Sequence, residues 1–102
     1  MRYNIEVKPE ALEELDKVQR DNPSAFKKFW NLVARLETDG LSLPQLVKVS
    51  GTASVWRLRF GRYRALLTLN DNLLTVWIIF LKTGPHREYD KWLNFISRRT
   101  EL

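Results

Sequence analysis

Four arginines, Arg57, Arg59, Arg62 and Arg64, fall within the ten residues VWRLRFGRYR (55–64), interleaved with Trp56, Leu58, Phe60 and Tyr63. Arginine presents a planar fork of N–H donors and no acceptor, a shape that suits phosphate oxygens. The surrounding charge is one-sided. From Gly40 to Asn70 there is no Asp or Glu, against five bases: Lys48 and the four arginines. Net charge is −1 over residues 1–39, +5 over 40–70 and +1 over 71–102, so the middle block supplies the whole excess of +5. A local excess of this kind points to a phosphate-rich or acidic partner. The competing reading is a solvated basic surface whose arginine stems cover apolar sheet.

The elements that must position these side chains follow from periodicity. Residues 2–8 alternate Tyr3, Ile5 and Val7 against polar neighbours, which predicts a strand. Pro9 opens a helix where its missing N–H costs nothing, with Ala11, Leu12, Leu15 and Val18 on one face. Asn22-Pro23-Ser24 breaks it. A second helix carries Phe26, Phe29, Trp30, Val33 and Leu36 at helical spacing and ends at Asp39-Gly40. The QLVKVSG run (45–51) is compatible with a short strand. Three clearer strands follow at 54–60, 63–70 and 73–82, joined by two-residue turns at Gly61-Arg62 and Asp71-Asn72. REYDKWLNFISRR (87–99) predicts a C-terminal helix with Tyr89, Trp92, Leu93 and Ile96 on one side. The expected fold is an α+β single domain over 1–102: a four-stranded antiparallel sheet, a two-helix hairpin on one face and a C-terminal helix, in the order β-α-α-β-β-β-α.

The two turns set a register. Arg59 pairs with Arg64, Leu58 with Ala65, Arg57 with Leu66 and Trp56 with Leu67; across the second turn Leu67 pairs with Val76, Leu66 with Trp77, Ala65 with Ile78 and Arg64 with Ile79. Alternation then makes Trp56, Leu58, Phe60, Tyr63, Ala65, Leu67, Val76, Ile78 and Phe80 the core face. Trp30 is expected in the core as well. Arg57, Arg59 and Arg64 share the opposite, open face with Leu66, Trp77 and Ile79, an apolar platform for a base or a partner helix. Like charges directly opposed across a sheet cost roughly a few tenths to 1 kcal/mol. A purely structural role would favour an Arg–Glu pair, so the clash suggests a site for an anion.

Composition removes several alternatives. The chain has no cysteine, hence no disulfide, thiolate metal site or cysteine nucleophile, which fits a reducing cytoplasm. The beginning, MRYNIEVKPE, has no apolar run like a signal peptide, and no stretch reaches the length of a membrane span. Hydrophobic residues at 44% and charged residues at 28% are a globular balance.

With the strand before PEALEEL, the two-helix hairpin, LVKVSG ahead of VWRLRFGRYRALL, and LLTVWIIFLKTG ahead of HREY, the sequence resembles the RelE/ParE superfamily of toxins from type II toxin–antitoxin pairs. RelE-like members are ribosome-dependent endoribonucleases; ParE-like members poison DNA gyrase on the same fold. Fold alone does not choose between them.

The RelE-like resemblance implies metal-free and cofactor-free cleavage, in which the ribose 2′-OH attacks the neighbouring phosphate. That step needs a base, cations for the crowded negative charge and an acid for the departing 5′-oxygen. Arg57, Arg59 and Arg64 match the charge-stabilising positions, the first two often lysine in relatives. His86, Arg87 and Tyr89 resemble the family's terminal basic-plus-Tyr element: Tyr89 or His86 as base, Arg87 or His86 as acid. Arginine is a poor acid, which favours His86 for proton transfer. A common family ending is H-R-R-x-x-Y; here the spacing is tighter and Glu88 sits inside it. Lys48 and Lys82 are expected as surface or backbone-contact charges, Arg62 as a contact to ribosomal RNA. The implied partners are a cognate antitoxin, the ribosome and mRNA, with operator DNA bound only through the toxin–antitoxin complex, and no membrane. The alternatives are a gyrase inhibitor without nuclease activity and an inactive binding relic.

Overall fold

Ala11, Leu15 and Val18 recur at helical spacing and are all buried, which fixes the inner face of α1 (Pro9–Asp21). Leu12, expected beside them, points outward and is 44% exposed. The chain then turns on Asn22, whose side-chain oxygen accepts from the Ala25 N–H at 3.2 Å and caps α2 (Pro23–Asp39). Pro23 occupies the first position of α2, where no N–H is needed. Gly40 ends this helix at φ +60, and a Cβ there would lie 2.5 Å from the Tyr3 ring. Only glycine satisfies both conditions.

The computed structural model describes residues 3–50, 54–81, 94 and 96. After β1 (Asn4–Val7) and the helices come a 3₁₀ turn (Gly40–Ser42), β2 (Leu46–Lys48), β3 (Val55–Phe60), β4 (Tyr63–Asn70) and β5 (Leu73–Leu81). The sheet has five strands in the order β1-β5-β4-β3-β2, and β1 runs parallel to β5. This corrects the expected four-stranded antiparallel sheet. The LVK segment does form a strand, on the edge beside β3. β1 returns through both helices before the hairpins begin, so it meets β5 in the parallel sense, a pairing that short turns cannot reveal. Of the expected C-terminal helix, Asn94 and Ile96 are described and helical; the rest lies outside the described residues.

The helices cover one face of the sheet. Phe29 packs at 5.0 Å from Phe60, which stacks at 5.5 Å on Tyr63 across the hairpin. Gly61, at φ +63, makes the turn between that pair. Trp30, expected in the core, is instead 38% exposed on the outer side of α2, edge-on to Phe26 and Phe29. One turn of helix cannot bury both Phe29 and Trp30, and Phe29 takes the inward position.

A β-bulge corrects the expected register of β5. Leu67 pairs with Val76 as predicted, but Leu66 pairs with Ile78, Ala65 with Ile79 and Arg64 with Phe80. Trp77 is the extra residue. From there the faces exchange: Ile79 enters the helix-side core, while Ile78 and Phe80 join the face of the arginines. Trp77 stays on the arginine face, where its Nε1–H donates to Thr68 Oγ1 at 2.8 Å and Lys8 Nζ lies 5.0 Å from its ring.

Candidate functional site

The arginine face is built by the β3–β4 hairpin. Arg59 and Arg64 are directly opposed, as are Arg57 and Leu66 one step along each strand. The aromatic pair Phe60–Tyr63 anchors the hairpin tip in the core, and by alternation the preceding Arg59 and following Arg64 face away from it. Arg59 is exposed; Arg57 and Arg64 are half-buried.

Arg64 bends back toward the turn. Its Nη1 donates to the Tyr63 carbonyl at 3.0 Å and to the Gly61 carbonyl at 3.4 Å. Both bonds use the same nitrogen, so Nε and Nη2 keep their donors without a partner among the described residues. Desolvation, then the charges of Arg57 and Arg59, hold the Arg64 guanidinium below its ordinary pKa. The three arginines therefore sense one another. The ion pairs among the described residues, Lys8–Glu6, Lys17–Glu14 and Arg35–Asp39, all lie elsewhere.

Arg57, Arg59 and Arg64 share a depression of about 200 Å³ with Pro44, Gln45 and Val47. The last three come from β2 and the segment before it, and sequence reasoning assigned none of them to the site. No local pattern marks them, because Val47 comes opposite Arg57 only when β2 pairs with β3.

The apolar platform differs from expectation. Leu66 is fully buried, Ile79 lies in the helix-side core and Trp77 is half-buried. Ile96 packs with Val49, Val55 and Leu66 in a second small core on the arginine face, with Trp77 and Phe80 against it. That face is thus partly covered, and the arginine depression lies toward the β2 edge. Lys48 is exposed on that edge strand, and Arg62 is exposed in the turn. His86, Arg87, Tyr89 and Lys82 lie outside the described residues.

A helical hairpin on one face of a mixed five-stranded sheet is an architecture this chain shares with several solved structures. Residues of this chain superpose on the YoeB dimer structure from Staphylococcus aureus with a TM-score of 0.64 at 21% identity, covering 83% of this chain and 100% of the other. The archaeal RelE–RelB complex from Pyrococcus horikoshii OT3 gives 0.67 at 19%, with the same coverage of 83% and 100%. A mutant of the Escherichia coli toxin RelE in the free state gives 0.67 at 14%, covering 96% of this chain and 98% of that one. No protein-family model and no curated protein matches the sequence. The chain thus shares the fold of these YoeB and RelE structures.

Proposed function

We propose that this chain is the toxin of a type II toxin–antitoxin pair and acts as a ribosome-dependent mRNA endonuclease. The observation that carries this reading is the convergence of Arg57, Arg59 and Arg64 on one depression, with Arg59 and Arg64 opposed across the hairpin. Such an arrangement lowers stability in the free protein and becomes favourable when an anion enters. In 2′-OH attack the phosphate passes through a crowded dianionic state. Three guanidinium groups are matched to the charge that develops there.

The proton transfers fall to the segment after β5. Tyr89 or His86 takes the proton from the 2′-OH, and His86 or Arg87 supplies one to the departing 5′-oxygen. Arg62, in the turn, extends the basic surface for ribosomal RNA; Lys48, on the edge strand but on the helix-side face through its pairing with Trp56, is a separate contact, with Lys82 and Trp77 as further contacts. The antitoxin partner is supported by the archaeal RelE neighbour, whose structure contains RelB. Operator DNA is reached through that complex. No helix among the described residues is long and apolar enough to cross a membrane. The proposed site of action is the cytoplasm, where ribosomes are.

Primer extension on a defined mRNA in a purified translation system tests the reading. Cuts within codons should appear only with ribosomes present and vanish in the Arg57/Arg59/Arg64 triple-alanine variant. An intact message beside folded wild-type protein would overturn it and direct the next assay to gyrase supercoiling.

A further inference from the structure

Gln45 lines the same depression as the arginines, and the reaction above gives it no task. Its backbone is tied to the site: the Arg59 N–H donates to the Gln45 carbonyl at 3.0 Å. Leu46 pairs with Leu58, so Gln45 stands level with Arg59, and Arg59 stands opposite Arg64. The three residues form one row across three strands. At the usual strand spacing, the backbones of Gln45 and Arg64 are about 10 Å apart. The Gln45 side-chain Oε1 is buried and makes no hydrogen bond. Buried polar atoms are normally satisfied. Oε1 has no bond holding it in place, and the carboxamide can turn over to bring it to the depression that Gln45 lines.

We propose that Gln45 reads the base of the nucleotide whose phosphate sits on Arg59 and Arg64. This rests on the nuclease reading in taking RNA as the ligand. Arginines offer donors and phosphates accept, so that contact positions the strand without reading sequence. A carboxamide carries a donor and an acceptor side by side, the pattern that matches a base edge. The terminal torsion of glutamine is broad and two-fold, so either amide atom can turn toward the depression. Pro44 and Val47 supply apolar walls, and the space admits a single ring system rather than a duplex.

The test is an NMR titration of the full chain at low salt with four RNA trinucleotides that differ only in the central base, each 2′-deoxy at the scissile position so that none is cut. Wild type should separate the best base from the worst by about tenfold or more. Gln45→Leu should bind all four alike, near the affinity of wild type for its worst base, with the salt dependence kept; Arg59→Ala should weaken all four together. Should Gln45→Leu lose its folded spectrum, Gln45→Glu keeps the shape and should reorder the four bases. An unchanged ranking in the folded variant, equal binding of the four by wild type, or no binding overturns the proposal. Codon cut profiles are compared in parallel on ribosomes. Base discrimination by a wild type that leaves mRNA intact sinks the nuclease reading alone. Efficient cutting with an unaltered profile in Gln45→Leu sinks the base-reading role alone.

Discussion

Arg59 and Arg64 face each other across the β3–β4 hairpin, two cations in directly opposed positions on the sheet face that the helical hairpin leaves open. Their nearest neighbour along the strand on that face, Arg57, adds a third. Replacing Arg59 with Gln should therefore raise stability, by about 0.2–1 kcal/mol in chemical denaturation at low salt. The gain should shrink as salt is added, because salt screens the repulsion in the wild type. A variant less stable than wild type at every salt concentration would show that Arg59 is structurally paired.

Arg64→Ala should abolish growth inhibition and codon cleavage in a chain that still folds. It removes two bonds from one nitrogen to the Tyr63 and Gly61 carbonyls, both at the hairpin rim where water can replace them. Circular dichroism and a growth assay on induction check both halves. Full toxicity in the variant contradicts the assigned role.

The lowered pKa of Arg64 has a definite sign in stability. A cation whose pKa falls on folding weakens the fold wherever it stays protonated, and the penalty lifts only as pH rises through the folded value. Arginine reaches that point only in strong alkali. The stability difference between wild type and Arg64→Gln should therefore be constant between about pH 6 and 9 and should vary with salt instead. Melting curves on a pH-by-salt grid measure it, and a difference that drifts with pH over that range refutes the assignment.

Thr68→Val should cost about 1–3 kcal/mol, since it leaves the indole N–H of Trp77 with no acceptor beside the bulge. Chemical denaturation followed by circular dichroism measures the loss. A neutral substitution would mean that water reaches the indole nitrogen.

Gly40→Ala should destabilise by more than the 1–2 kcal/mol or so of left-handed backbone alone, because the added carbon meets the Tyr3 ring. The double variant Gly40→Ala/Tyr3→Ala should lose less than the two single costs combined. Strict additivity would mean that ring and glycine do not share the space.

Much of this protein was legible without coordinates, and the reason is local. Pro9, Asn22-Pro23 and Gly40 punctuate the helices by backbone chemistry that neighbours alone decide. Gly61-Arg62 sets a two-residue turn, and a two-residue turn sets every pairing of β3 with β4, so the opposition of Arg59 and Arg64 follows from the sequence. Alternation then places Arg57 on their face. What alternation could not supply was the interruption at Trp77. A bulge inserts one residue into one strand, and its place depends on what the side chains meet: Trp77 finds Thr68 on one face while Ile79 fills the core on the other. The same limit hid the parallel pairing of β1 with β5, the outward position of Trp30 and the covering of Leu66 by Ile96. It hid Gln45 too, which reaches the arginines only because β2 docks on the edge of β3. Local turns and periodicity determined the elements and the basic face. Contacts between residues far apart in the chain decided which side chains share that face, because burial is a property of the assembled layers and not of any one segment.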